Sequence, residues 1–384
     1  MKVIIAPDSF KGSISSVEAA KAIADGIHSI DPTVSCQLVP MADGGEGAVE
    51  AILVGIGGER ISCNVEDPLG RQITAEYGWI PAQHTAVVEM AAASGLPLLE
   101  ESEYDPWNAS TYGTGQLIRD ALAKGAKKII LGLGGSATVD GGAGCLQALG
   151  LRFLNETGQE IQRVGGRLDQ IVSIDMSELD PQFRHVEIEI ASDVTNKLLG
   201  PEGSVYIFGP QKGVAPNQLA ALERGIVSYA DVVEKTVNKC IRNYPGSGAA
   251  GGFGFGLLAF ANCHLESGFS LIAKLTNLSE HLQDADLVIT GEGRIDAQSL
   301  YGKAPIGVSR LAQKHGVKAV AFAGTIGRGL DGLAAQGLTL VLPIVDQPMG
   351  LETALEQGPQ LLTAASARFY QALLLGRDLA ITRS

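Results

Sequence analysis

No stretch of this chain approaches the roughly 18 to 20 consecutive apolar residues that cross a bilayer, so no membrane is expected as a partner. The five cysteines, Cys36, Cys63, Cys145, Cys240 and Cys263, lie far apart without any C-x-x-C spacing. That scatter argues against a disulfide framework and against a thiolate zinc site, and it fits a reducing cytoplasm. The six histidines are equally dispersed. Positive charge is also short, with 29 Lys and Arg against 42 Asp and Glu for a net charge of -13. Nucleic acid and anionic membrane both need clustered positive charge, so neither is an expected partner. The N-terminus carries no signal-peptide pattern, because Asp8 interrupts the apolar run after Lys2 before an h-region forms. A Walker A loop is missing too: Gly302 and Lys303 are followed by Ala304 and lack the upstream glycine.

Glycine is what the chain has in excess. Its 49 glycines approach twice the usual share of about 7%. Glycine in a helix interior costs about 1 kcal/mol relative to alanine, so the surplus belongs in turns and close-approach loops. The densest cluster is KKIILGLGGSATVDGGAG, from Lys127 to Gly144. Ile129 to Leu133 reads as a buried strand that empties into interleaved glycines, Ser136, Thr138 and Asp140, before a helical pattern resumes at Cys145. Strand, glycine nest and helix form an arrangement suited to anions, since backbone N–H groups converge there beside a positive helix end. Gly132, Gly134 and Ala137 also satisfy the G-x-G-x-x-A dinucleotide fingerprint, but the acid it requires would be Glu156, in a polar turn.

At 384 residues the chain exceeds the roughly 250 to 300 at which one core stops growing, so two domains are expected. Lys2 to Pro7 and Ser35 to Pro40 read as strands, each followed by a loop and a helix, the first helix opened by a capping box of Ser15 and Glu18. From Arg60 to Ala92 the pattern alternates apolar and polar around turns, as in an antiparallel meander. Val186 to Ala191 reads as a strand, and a helix spans about Asn217 to Ile241. Strand and helix texture returns at Asp286, with a helix from Ala304 to Lys314 and strands at Val317 to Ala323 and Leu338 to Ile344. The reading is an α/β protein in which a doubly wound parallel-sheet domain, residues 1–60 and 281–384, is interrupted by a second mixed α/β domain, residues 61–280, holding the meander and the glycine nest.

The loops after strands collect Asp8, Ser9 and Lys11; Asp43 and Glu46; Ser136, Thr138 and Asp140; Asp193 and Asn196; and Glu292, Arg294, Asp296 and Lys303. Carboxylates with nearby cations are what phosphoryl transfer needs, because its catalysis is mostly positioning and charge stabilisation. Any one of them has a plainer role: Asp8 and Asp43 as helix caps, Lys11 and Lys303 as solvated surface lysines, and Glu292, Arg294 and Asp296 as an exposed ion-pair cluster. Their recurrence at every strand end is what these roles leave unexplained. An NAD-dependent oxidoreductase, resting on the lone fingerprint, and a non-catalytic small-acid binding protein are the competing readings.

Seven phrases then occur in order along almost the whole chain: APDSFKGS, ADGGEG, GLGGSATVDGGAG, SDVTNKLLGPEG, GPQKG, GAAGGFGFG and ITGEGRIDAQSLYGKAPIGV. Together they resemble the bacterial type I glycerate kinase family (glycerate 2-kinase). The resemblance implies a flavodoxin-like domain interrupted by another, and ATP-dependent, Mg²⁺-requiring phosphorylation of D-glycerate, most often to 2-phosphoglycerate. The product 3-phosphoglycerate, or another small hydroxy acid as acceptor, stays open, as does a homodimer. A departure is Ala48, where the family often has threonine after ADGGEG. On this reading the catalytic groups are Asp8, Lys11, Asp193, Arg294 and Asp296, and the interdomain cleft would face them. Gly134, Gly135, Ser136, Thr138, Lys212 and Lys303 would bind ATP; Ser9, Asp43 and Glu46 the acceptor; Glu292 and Asp296 the metal.

Overall fold

A computed structural model describes the chain apart from Asp43, Gly44, Glu46, Gln298, Leu300, Tyr301, Gly302, Lys303, Asp331, residues 382–384 and the side chains of Ala380 and Ile381. The strands among the described residues are β1 (Lys2–Ile5), β2 (Ser35–Leu38), β3 (Glu59–Glu66), β4 (Gln72–Ile80), β5 (Thr85–Glu89), β6 (Lys128–Gly132), β7 (Arg152–Leu154), β8 (Ser173–Asp175), β9 (Glu187–Ala191), β10 (Asn262–Glu266), β11 (Leu287–Ile295), β12 (Lys318–Ile326) and β13 (Leu338–Pro343). The chain divides into two compact units: Met1–Asp43 with Glu50–Gly57 and Phe269–Ser384, and Gly44–Val49 with Gly58–Gly268. The second break falls at 268 rather than near 280. The packing reason is visible at Gly55 in the helix Ala48–Ile56, where an added Cβ would stand 2.7 Å from Thr276 Cγ2 of the same unit.

In the first unit the strands lie in the order β13-β12-β11-β1-β2, every pair parallel. In order of appearance this is 2-1-3-4-5, the flavodoxin-like doubly wound arrangement. Val3, Ile4 and Ile5 are fully buried, as expected of a strand covered on both faces. The helix Ser16–His28 begins with the expected capping box: Glu18 N donates to Ser15 Oγ (3.2 Å) and Ser15 N to Glu18 Oε2 (2.9 Å). Its buried stripe of Val17, Ala20, Ile23, Ala24 and Ile27 meets the C-terminal helix Gly358–Ile381, whose Ser366 Oγ donates to Ile23 O (2.8 Å). The sequence gives little sign of that last helix. Leu361, Leu362, Ala365 and Tyr370 are buried while Leu373, Leu375 and Leu379 are exposed, so no single apolar stripe marks it.

The second unit holds a six-stranded mixed sheet ordered β10-β9-β6-β5-β4-β3, and a separate hairpin of β7 and β8. β3, β4 and β5 form the antiparallel meander, while β5, β6, β9 and β10 run parallel. Ile129, Leu131, Ile188 and Ile190 supply its core, against Leu117, Ile118, Tyr229 and Phe253. β10 escapes sequence reading because NCHLE is an edge strand with no fully buried position. The glycine run 246–256 becomes the start of the helix Ala249–Phe260, entered through left-handed Ala250, Gly251 and Gly252 (φ 51, 67 and 88°). Glycine at 251 is required: its backbone lies so near the nest that a Cβ would stand 2.1 Å from Thr138 O.

Candidate active site

The sheet of the first unit reverses direction at β1. From β1 the chain steps to β2 on one side, and later returns to β11 on the other, so the crevice at their carboxyl ends is the topological switch point. The loop that leaves β1 meets the carboxyl end of β11 there, and Glu292 and Arg294, expected in a loop, lie within that strand because β11 pairs with β12 as far as Ile295. Asp8 N donates to Gly291 O (2.8 Å), and Thr290 Oγ1 donates to Ala6 O (2.7 Å), which locks the two strand ends together. Asp8 and Glu292 are both buried, each at 6% exposure, while Lys11 and Arg294 reach solvent. Asp8 Oδ1 accepts from Ser9 N (2.7 Å). Glu292 Oε1 accepts from Ser299 Oγ (2.7 Å), and Asp296 Oδ2 accepts from Arg294 Nε (2.7 Å).

Asp8, Ser9, Lys11, Glu292 and Arg294 all line one cavity of about 700 Å³. Its remaining wall comes from the end of β12, the loop after β13 and the helix Leu351–Glu356, and includes Ile326, Val345, Met349, Leu351, Ala354 and Leu355. Sequence reasoning did not single these residues out, although they lie at or beyond the carboxyl ends of parallel strands just as Asp8 and Glu292 do. Apolar side chains carry no chemical signature, and only the strand order brings them beside the charged loops.

In the second unit, β5, β6 and β9 end at one edge, placing Glu89, the glycine nest and Asp193 along it. The nest is built differently from an open anion cradle. Asp140 is fully buried, and its carboxylate accepts from Thr111 N (2.7 Å), Thr111 Oγ1 (2.8 Å), Gly142 N (3.1 Å) and Gly144 N (3.2 Å). Burial raises the Asp140 pKa and these four donors pull it back down. The anion held by the glycines is therefore one the chain supplies. Gly141 and Gly142, at φ 61 and 79°, make that wrap, with Tyr229 and Phe253 packed where their Cβ atoms would be.

Lys212 reaches the same nest from the turn Pro210–Lys212. Its Nζ donates to Ser136 Oγ (2.6 Å) and Thr138 O (2.7 Å), so three residues expected to act together do meet. Lys212 is 1% exposed, and burial pushes its pKa down to about 7 against the opposing pull of Asp140. Gly134 sits against the ADGGEG segment, where an added Cβ would lie 2.5 Å from Gly45 Cα, and Gly135 takes a left-handed turn at φ 70°. After β6 the chain runs from Leu133 to Gly142 before the helix Ala143–Ala148 starts, so the dinucleotide fingerprint lacks the helix that must follow it.

Asp193 is exposed in the loop after β9, and Asn196 Nδ2 donates to Glu202 O (2.7 Å). Asp43, Glu46 and Lys303 lie outside the described residues. Among the described residues, the one cluster with three metal-ligating groups is Glu187, Glu189 and His264, far in sequence from Glu292 and Asp296, and Lys128 Nζ already pairs with Glu189 Oε1 at 2.7 Å. Among the described residues, Glu292 and Asp296 are thus not part of a preformed three-donor cage. They do suit Mg²⁺, which favours hard oxygen donors and is commonly held by one or two carboxylates with phosphates and water completing its shell.

The glycerate kinase family model matches residues 3–374. A glycerate kinase of Halalkalibacterium halodurans is 45% identical over 364 residues, covering 95% of this chain and 96% of its own. The glycerate 2-kinase of Escherichia coli K12 is 42% identical over 376 residues, covering 98% and 99%. A crystal structure from Salmonella typhimurium LT2, carrying a provisional glycerate kinase 2 assignment, superimposes with a TM-score of 0.88 at 40% identity, over 98% of this chain and 99% of that one.

Proposed function

The chain belongs to the glycerate kinase family, and from that premise we propose that it transfers the terminal phosphoryl group of ATP to the 2-hydroxyl of D-glycerate in the cytoplasm, with Mg²⁺, releasing ADP and 2-phosphoglycerate. The observation that carries this reading is the convergence of Asp8, Lys11, Glu292 and Arg294 on one cavity at the switch point. Phosphoryl transfer needs an acid to orient the acceptor hydroxyl and cations to offset charge on the phosphoryl oxygens, and both are present.

Asp8 is held by its strand end and serves as the group that accepts the hydroxyl proton. Asp296 grips Arg294 through Nε, which leaves the terminal Nη groups as a forked face for phosphate oxygens. Lys11 adds a point charge beside it. Glu292 and Asp296 would hold Mg²⁺, which when bound neutralises phosphate charge. Asp193 is assigned to catalysis, Ser9, Asp43 and Glu46 to the acceptor, and Gly134, Gly135, Ser136, Thr138, Lys212 and Lys303 to ATP. Within the nest, Asp140 already occupies the amides of Gly142 and Gly144, so any contribution there falls to Ser136, Thr138 and Lys212.

Phosphorus NMR of the purified protein with ATP, Mg²⁺ and D-glycerate tests the proposal. A 2-phosphoglycerate signal that disappears with chelator, and falls by orders of magnitude in Asp296→Asn, is the expected result. A 3-phosphoglycerate signal would overturn the regiochemistry, and no phosphomonoester at all would overturn D-glycerate as the acceptor.

A further inference from the structure

We infer that the apolar half of the first unit's cavity is the nucleoside pocket for ATP, with the base against Val345, Met349, Leu351 and Ala354 and the triphosphate directed at Lys11 and Arg294. The inference rests on the reading above for ATP as donor, and it places the base in a different unit from the glycine nest to which the sequence assigns ATP.

Size is the first argument. A cavity of about 700 Å³ is in the range that takes a drug-sized or cofactor-sized ligand, and a three-carbon acid would leave most of it to water. Chemistry is the second. The polar groups come from the loop after β1 and the carboxyl end of β11, while the apolar wall comes from the end of β12, the loop after β13 and the helix Leu351–Glu356. Along the order β13-β12-β11-β1, at about 4.8 Å per strand, the two ends are roughly 10 to 14 Å apart. A ligand with a multiply charged end and a flat apolar end at that separation is a nucleoside triphosphate.

The wall is also pre-set. Ser13 Oγ donates to Leu355 O (2.6 Å), tying the helix Leu351–Glu356 to the loop that carries Asp8 and Lys11. That tether holds Leu351 at 75% exposure and Ile326 stands at 38%, two large apolar side chains on the rim of a concavity where a planar base would cover them. Leaving them in water has no folding benefit, since both are exposed.

The test is calorimetric titration of the full chain with the non-hydrolysable β,γ-imido analogue of ATP and, separately, with tripolyphosphate, which has the charge but no base. Ala354→Trp fills the pocket, and Leu351→Ala trims an exposed wall residue with little effect on folding. The expected result is a Kd for the analogue raised roughly 20-fold or more by Ala354→Trp and several-fold by Leu351→Ala, with tripolyphosphate affinity unchanged. Should Ala354→Trp fail to fold, as judged by circular dichroism, Leu351→Ala decides. Unchanged affinity for the analogue in the folded variants overturns the pocket, and so does an equal loss for both ligands, because the cavity would then bind phosphates alone. D-glycerate turnover separates the two claims. Turnover with variants that bind normally removes the pocket and keeps the function; loss of analogue binding without any wild-type glycerate turnover keeps the pocket and removes the acceptor.

Discussion

Lys212 and Asp140 show what one buried charge does to its surroundings. Lys212 has no carboxylate at ion-pair distance among the described residues, and burial lowers its pKa to about 7. In the unfolded chain the same amine titrates near 10.4. Between these values the unfolded state carries a proton that the folded state lacks, so this group makes stability rise with pH, by up to about 1.4 kcal/mol per pH unit. Lys212→Met removes that contribution. Urea unfolding at pH 7.5 and 9 is expected to show the wild type gaining on the variant as pH rises, and a constant difference between the two would refute the low pKa. The GPQKG phrase and the ATP-binding set place Lys212 with the nest as an expectation, but the inward aim of Asp140 is not legible there. Whether a carboxylate faces a ligand or its own backbone depends on Thr111 and on the wrap at Gly142 and Gly144, which sequence spacing does not fix.

Among the elements, those that announce themselves locally are the ones readable in advance. The run KVII, the Ser15 and Glu18 capping box and the alternation through β3 and β4 each contain their own cause, and each is found. β10 and the helix Gly358–Ile381 take their form from neighbours, the first from pairing with β9 and the second from Gly26, where an added Cβ would stand 2.3 Å from Thr363 O. The left-handed entry to the helix Ala249–Phe260 belongs to the same class. Gly251→Ala would force a side chain into a φ of 67° and against Thr138 O, and is expected to cost at least about 2 kcal/mol. Gly316→Ala, at a φ of 75° with open space around it, is the control and is expected to cost about half as much. Equal shifts of the two melting temperatures would show that close approach to the nest contributes nothing.

At the scale of the whole molecule, the described residues give each unit an apolar core of its own. The second core is drawn almost entirely from Gly58–Gly268, a continuous stretch, so this segment expressed alone is expected to give a single cooperative thermal transition. A broad, non-cooperative melt would mean that its core depends on the flanking chain. The strand classes and the α/β character are legible in the sequence, while the unit boundary after Gly268 is set by packing around Thr276.

The strand order has one more consequence, in the time the ribosome takes to make the chain. β1 is flanked by β2 on one side and by β11 on the other, and Thr290 bonds Ala6 across 284 residues. At about 5 to 20 residues per second, Lys2–Ile5 waits on the order of 15 to 60 seconds after it is made before its inner neighbour exists. By then every residue of the second unit has been synthesised. A strand made 284 residues before its partner β11 is therefore among the last to be enclosed, and its apolar edge must be kept from other chains throughout that delay.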